Sequence, residues 1–326
     1  MDMDMDNKNN YFKYLESEIK EKCIINDYKK AYIAKHSVIY PKNNSNTQIK
    51  FIVDTTFKKR YITYYNNFLL LLTNFISFYD AFKLLNTIRY TNNITDIDIL
   101  KNIDKLHSKK DSIFSLEESC SKQEFGMEMI KSNMELHKIK IKKNSVYLDI
   151  GCGDGKKTDI FASAFDIAKK NINGTDINTW GPYSNDKKFS FKFKEIINGK
   201  LDYNDKTFDI ITIFLTLHHI ENIDLMLNEI YRILKKNGTL IIIEHDSINY
   251  LDNLIIEIQH TFFAYFYDKN KNIINNQMYS NYYSSMELEY IFKNHNFKPL
   301  IKDNLYQTIG MQRRYDNQYY QIFRKI

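Results

Sequence analysis

The segment VYLDIGCGDGKKTDIF, Val146 to Phe161, constrains the chain more than any other stretch. Three of only 9 glycines stand here at alternate positions, Gly151, Gly153 and Gly155. An apolar run precedes them, and a helical pattern from about Lys156 to Lys169 follows. Glycine takes positive φ at no steric cost and lets a ligand approach the backbone, so a strand that enters a helix through such a turn is built to hold one. A P-loop is excluded: three residues separate Gly151 from Gly155, not four, and Lys157 stands where Ser or Thr is needed. The dinucleotide fingerprint G-x-G-x-x-G also fails, because Lys156 occupies the place of its third glycine.

Charge decides among the remaining ligands. Asp149 lies two residues before Gly151, at the carboxyl end of the strand, where open parallel sheets bind their ligands. With Asp154 also in the turn, a pyrophosphate would meet carboxylates at close range. A ligand with an ammonium and a sulfonium, and no phosphate, is attracted instead. S-adenosylmethionine is such a ligand. Asp176, 21 positions after Gly155 and at the end of the next apolar run, is placed to take both ribose hydroxyls.

From residue 144 onward, short apolar runs alternate with amphipathic segments. SVYLDIG, INGTDI, FSFKFKEI, FDIITIFLTL and TLIIIEH read as strands. DLMLNEIYRILKKNG reads as a helix with Lys235 and Lys236 in its last turn and Gly238 just beyond. SMELEYIFKNHN reads as a further helix, and FKPLIKDN and YYQIFRK as a final antiparallel pair at the sheet edge. The alternation predicts an α/β fold: a Rossmann-like, doubly wound, mostly parallel seven-stranded sheet with a helical N-terminal extension. The extension is residues 1–125, which contain no glycine. Helical spacing runs through Tyr11–Lys35, a polar loop follows over Tyr40–Gln48, and Arg60–Arg89 reads as one long or two shorter helices. Another helix starts at Ser115. Residues 1–125 are expected to cap the active site or recruit a protein partner, and residues 126–326 to form the ligand-binding domain.

The net charge of +6 is split evenly, with 19 basic and 16 acidic side chains before residue 126 and 27 and 24 after it. No segment is a polycation, so nucleic-acid binding is not demanded. Cys23, Cys120 and Cys152 are odd in number and widely spaced, which matches neither a disulfide framework nor a zinc pattern. The opening MDMDMDNKNN is the opposite of a signal peptide. Phe68–Phe82, the most apolar stretch, is polar-interrupted and shorter than the ~20 residues a bilayer needs, so it reads as a buried helix. A reducing, cytoplasmic setting without membrane contact is expected.

Residues 144–246 resemble the core of class I S-adenosylmethionine-dependent methyltransferases, in particular the type 11 methyltransferase family. VYLDIGCGDG is similar to its glycine motif, GTDI to its ribose-acid strand, LDYNDKTFDIITIFLTLHHIEN to its fourth-strand block and LNEIYRILKKNGTLIIIEHD to its next helix and strand. GTDINTWGPY and IIIEHD bear a looser resemblance to methyltransferases of large DNA viruses. The resemblance implies that Asp149 and the turn Gly151, Cys152, Gly153 and Gly155 hold the methionine part, that Asp176 holds the ribose, and that Ile177 packs on adenine. Leu215, ending the fourth-strand block, joins the cofactor set. Family members often place an Asp before the fourth strand to accept from the adenine amino group; this chain has none, and Asn198 is the nearest acceptor.

Methyl transfer needs alignment and exclusion of water more than a fixed catalytic signature. LHHI places His218 and His219 beside the cofactor, where they position the acceptor, act as a base, or, as for His219, pack on the cofactor rim. EHD ends the fifth strand: His245 is a candidate base and Asp246 its partner, or Asp246 caps the helix that follows. No metal is expected, because adjacent strand residues point to opposite faces and no cysteine pair accompanies the histidines. In the aromatic segment 260–285, Tyr265, Tyr267, Tyr279, Tyr282 and Tyr283 either stack on a planar substrate or pack internally, and Trp180 walls the adenine side or serves the fold. The expected reaction is methyl transfer to an O, N or C nucleophile of an acceptor, a small molecule or RNA. The competing readings are a non-catalytic cofactor-binding subunit that docks through residues 1–125, and a nicotinamide oxidoreductase, which the glycine spacing and Asp149 disfavour.

Overall fold

The computed structural model describes residues 48–57, 62–107, 116–177, 189–248, 250–266, 280–305 and 318–326. The expected helix over Tyr11–Lys35, nearly all of the polar loop from Tyr40, and Trp180, Tyr267 and Tyr279 lie outside the described residues.

Among the described residues four helices come first: α1 (Gln48–Thr56), α2 (Ile62–Leu72), α3 (Phe78–Tyr90) and α4 (Asp96–His107). The apolar stretch Phe68–Phe82 is therefore not one buried helix. It breaks at Thr73–Ser77, where Ser77 caps α3 by accepting from the Asp80 N–H. Phe68, Leu71, Leu72 and Phe75 are fully buried, whereas Phe78 and Phe82 are exposed. A long helix, α5 (Leu116–Leu136), runs across residue 125 into the sheet-bearing part.

The strands are β1 (Tyr147–Ile150), β2 (Ile172–Asp176), β3 (Lys192–Glu195), β4 (Phe208–Phe214), β5 (Leu234–His245), β6 (Phe297–Asn304) and β7 (Gln318–Lys325). They form one sheet in the order β3-β2-β1-β4-β5-β7-β6. The first five are parallel, and β7 inserts antiparallel between β5 and β6. Between them come α6 (Lys156–Ala164), α7 (Ile223–Ile233), α8 (Tyr250–Phe266) and α9 (Ser285–Asn294). Continuous apolar strands such as β4 and the end of β5 are buried along nearly their whole length, as a sheet covered on both faces requires. α7 ends at Ile233, before the expected Lys235 and Lys236. Leu234 is fully buried and pairs with Phe208 as the start of β5, and Lys235 turns to an ion pair with Asp209 at 2.8 Å. α6 likewise stops at Ala164, short of Lys169.

Strand order reverses between β1 and β4. The crevice beyond their carboxyl ends is where sheets of this kind bind ligands. A second core lies outside the sheet. Leu254, Ile255, Ile258, Phe262 and Tyr265 of α8 pack with the buried residues of α1–α4 in one apolar cluster. The helical layer thus holds the helix that presents His260 to the crevice.

Candidate active site

The turn after β1 is left-handed at each alternate glycine: φ is 74° at Gly151, 50° at Gly153 and 80° at Gly155. Gly151 has no room for a side chain, since a Cβ there would lie 2.2 Å from the Thr216 Oγ1. At Gly153 the opposite holds: no atom of the described residues lies within 4 Å of an added Cβ. Asp176 bounds this open face. Its carboxylate accepts from the Gly153 N–H at 2.7 Å and from the Ile177 N–H at 2.7 Å. Ile177 beside it is 44% exposed, an apolar surface at the rim.

Asp149 is buried behind the turn. β1 and β4 pair so that Asp149 lies opposite Thr212, whose hydroxyl donates to it at 2.6 Å. Thr158, in the first turn of α6, donates to the other oxygen at 2.5 Å. Burial pushes the Asp149 carboxyl up to about 6, against the pull of these two hydrogen bonds. The residue ties β1, β4 and α6 together under the glycines. Asp154 is turned to the start of α6, accepting from the Lys156 N–H. Cys152 is buried with its thiol pushed upward by burial, and packs toward Gly174 and Phe191. Leu215 ends β4 with φ 54°, a left-handed conformation that costs a bulky residue about 1–3 kcal/mol and turns the chain toward Gly151 at Thr216. Asn198 is exposed and sits with Gly199 in a two-residue left-handed turn closed by the Ile197–Lys200 bridge. An Asn-Gly pair is what such a turn requires.

The far side of the crevice is built of imidazoles. Residues Leu217–His219 form a single 3-10 turn, not a continuation of β4. The expectation that His218 and His219 point to opposite faces is thereby overturned: their ring centroids lie 4.0 Å apart. His218 is fully buried, and its Nδ1 meets the Glu244 Oε1 at 2.7 Å. Its Nε2 lies 3.2 Å from the Nε2 of His260. The Nδ1 of His260 contacts the Ile256 carbonyl at 2.8 Å and the Tyr282 hydroxyl at 3.0 Å. The His245 ring stands 5.3 Å from that of His218 and 5.5 Å from that of His260. Burial pushes Glu244 up to about 7 and lowers His218 and His260 to about 3, so each shift favours the uncharged form. The Lys157 ammonium acts on both Asp149 and His218, which links this wall to the glycine turn. Tyr282 and Tyr283 are buried. Asp246 accepts from the Ser285 N–H at 2.8 Å and so holds the start of α9, not that of α8.

Sequence reasoning missed His260, Thr158 and Thr212. The threonines were legible only through register. His260 lay in the flagged aromatic segment but gave no signal of its own.

The profile of the methyltransferase domain matches residues 128–301. The chain belongs to this family. That family is the class I S-adenosylmethionine-dependent methyltransferases. A demethylmenaquinone methyltransferase of Lactobacillus johnsonii is 33% identical over 123 residues, 33% of this chain and 46% of that protein. A ubiquinone/menaquinone biosynthesis C-methyltransferase of Hydrogenovibrio crunogenus is 44% identical over 48 residues, 15% of this chain and 19% of that protein. The chain thus spans less than half the length of these curated relatives. Among solved structures, the YcgJ protein of Bacillus subtilis is 14% identical with a TM-score of 0.42, over 62% of this chain and 98% of that one. The 1,6-didemethyltoxoflavin-N1-methyltransferase of Burkholderia thailandensis, with S-adenosylhomocysteine bound, is 14% identical with a TM-score of 0.43, over 69% and 85%.

The residues of the methyltransferase fit its cofactor. Gly153 leaves an open backbone face, Asp176 presents a carboxylate at its edge, and Ile177 offers an exposed apolar surface. No described helix is long and apolar enough to cross a membrane.

Proposed function

We propose that the methyltransferase moves the methyl group of S-adenosylmethionine to a nucleophilic O, N or C atom of a small-molecule acceptor. The observation that carries this reading is the open face at Gly153, edged by the Asp176 carboxylate. When bound, S-adenosylmethionine supplies a methyl carbon activated by a sulfonium. Asp176 would receive the ribose hydroxyls and Ile177 the adenine face. Gly151, Gly153 and Gly155 would shape the wall around the methionine part, with Asp149 bracing that wall from behind. Leu215 turns the β4 end toward it, while Cys152 and Asn198 act through packing and turn formation.

The acceptor would enter beside the imidazole wall. His219, half-buried, would touch it; His245, buried in that wall, would orient it or take its proton; Asp246 would position α9 behind them. The buried imidazole and tyrosine side chains along this wall favour a compact acceptor. The names of the two curated relatives, both quinone-pathway methyltransferases, point to the same class. RNA is the second candidate, and steep weakening of its binding with salt would mark it.

Calorimetric titration with S-adenosylmethionine, S-adenosylhomocysteine and NADH, on wild type and Asp176→Ala, tests the reading. Both adenosyl ligands are expected to bind wild type and to lose at least tenfold in affinity in the variant. Silence toward both would sink the proposal.

A further inference from the structure

Four of the chain's 8 histidines, His218, His219, His245 and His260, meet at the carboxyl ends of β4 and β5. They come from three separate elements, the 3-10 turn, β5 and α8. Methyl transfer does not require so many imidazoles in one place. The hydrogen bonds around two of them define which nitrogen is offered. The Ile256 carbonyl can only accept, so the Nδ1 of His260 carries the proton and its Nε2 presents a lone pair. Ionised, as a cation beside His218 would keep it, Glu244 can only accept, so it holds the proton of His218 on Nδ1 and leaves Nε2 as a lone pair. The two Nε2 atoms then face each other at 3.2 Å. Facing lone pairs at that separation are stabilised by a cation that both can reach; without one, a protonated Glu244 donating to the His218 Nδ1 makes the His218 Nε2 an N–H donor to His260.

We propose that His218, His219 and His260 form a site for one divalent transition-metal ion of the zinc or cobalt class, with Glu244 holding His218 from behind. Ligand atoms of the three histidines all lie within 4.8 Å of one another. On a tetrahedral ion with bonds of about 2.0–2.1 Å, two nitrogens stand about 3.3 Å apart, close to the His218–His260 separation. The half-buried His219 closes the remainder by a side-chain movement of about an ångström. Glu244 and His245 can also be grouped with His218 as ligands. The 2.7 Å contact between Glu244 and His218 is a direct hydrogen bond, however, and shorter than two ligands on one ion would show. A metal-bound imidazole donates its other N–H to a carboxylate or a backbone carbonyl, and Glu244 and Ile256 supply one of each. Neutral imidazoles select zinc, cobalt, nickel or copper over magnesium and calcium, which want oxygen. Three protein ligands leave a fourth coordination position open. That this position receives an acceptor oxygen rests on the methyltransferase reading; the ion site itself does not.

The test uses full-length protein stripped with chelator and titrated with Co²⁺, followed by visible ligand-field absorption and by calorimetry. One ion per chain is expected, with micromolar or tighter affinity and no response to Mg²⁺. His219→Ala and His260→Gln are expected to weaken binding at least tenfold, and Glu244→Gln by about 10–100-fold. Circular dichroism and S-adenosylhomocysteine titration of each variant separate lost ligands from lost fold. Stripped protein that binds S-adenosylhomocysteine but no Co²⁺ would overturn the metal site, leaving a shared proton between the imidazoles. Unchanged Co²⁺ binding in both histidine variants would overturn it as well. Co²⁺ binding without S-adenosylhomocysteine binding would instead remove the methyltransferase reading and leave the metal site standing.

Discussion

Gly151 and Gly153 are two residues apart and both left-handed, yet replacing each with alanine is expected to do different things. Gly151→Ala carries two costs. A left-handed alanine costs about 1–2 kcal/mol. Its Cβ would also overlap Thr216, with three side-chain atoms between 2.2 and 2.7 Å, and relieving such overpacking costs about 1–3 kcal/mol more. The total is about 2–5 kcal/mol, or roughly 3–8 °C in Tm for a chain of this size. Gly153→Ala carries only the conformational cost of about 1–2 kcal/mol, because no atom of the described residues stands within 4 Å of its Cβ. Its methyl group points into the open face instead, so S-adenosylhomocysteine should bind at least tenfold more weakly, about 1.4 kcal/mol. Thermal melts and calorimetry on both variants read the two effects separately. Adding Thr216→Gly to Gly151→Ala should recover the overlap cost but not the conformational one. Wild-type affinity in Gly153→Ala would refute the placement of the cofactor. Equal melting of the two single variants would refute the Thr216 contact.

Asp149 should give stability a specific pH dependence. Its folded pKa of about 6 lies above the unfolded value near ~4, so the native state binds the extra proton and stability falls as pH rises through that window; fully ionised, the group costs roughly 3 kcal/mol. Asp149→Asn should therefore gain on wild type between pH 4 and 7 in urea melts, and parallel pH slopes would show the carboxylate to be unperturbed. Phe262→Ala, in the helical cluster, should cost about 3–5 kcal/mol and lower a single cooperative transition by roughly 4–8 °C. Two separate transitions would mean that α8 does not couple the helical layer to the sheet.

The cofactor half of the crevice was legible in the sequence because its parts are local. Strand, turn, helix and next strand lie within Tyr147–Asp176, and the glycines advertise their positive φ by being glycines. What could not be read there was the direction of Asp149. The spacing places a carboxylate at the strand end, but only the β1–β4 register sets Thr212 opposite it and buries its charge. The ends of α6 and α7 were misjudged for a related reason. Leu234–Lys236 continue the helical pattern, and pairing with Phe208 overrides it. The two histidines of LHHI were misread through one wrong assumption, that the strand extends past Phe214. The left-handed Leu215 ends it and lets a 3-10 turn bring both rings to one side.

The imidazole half has a different origin, and this separates the two halves experimentally. Its members stand at the ends of β4 and β5, on α8 and in the segment 280–283, where the Asn281 N–H donates to the His218 carbonyl. None of these is near another in sequence except His218 to His219 and Glu244 to His245. His260 is placed by α8, and α8 is placed by packing against α1–α4, residues that the methyltransferase match at 128–301 does not reach. The helical region therefore contributes to one wall of the crevice through a helix it does not itself contain. Loosening that packing should displace His260 while the glycine turn, held by Asp149, Thr158 and Thr212, keeps its shape. The helical layer is in this sense part of the imidazole side of the crevice, and if the proposed acceptor enters there, its sequence is where acceptor preference would diverge from that of a bare methyltransferase domain.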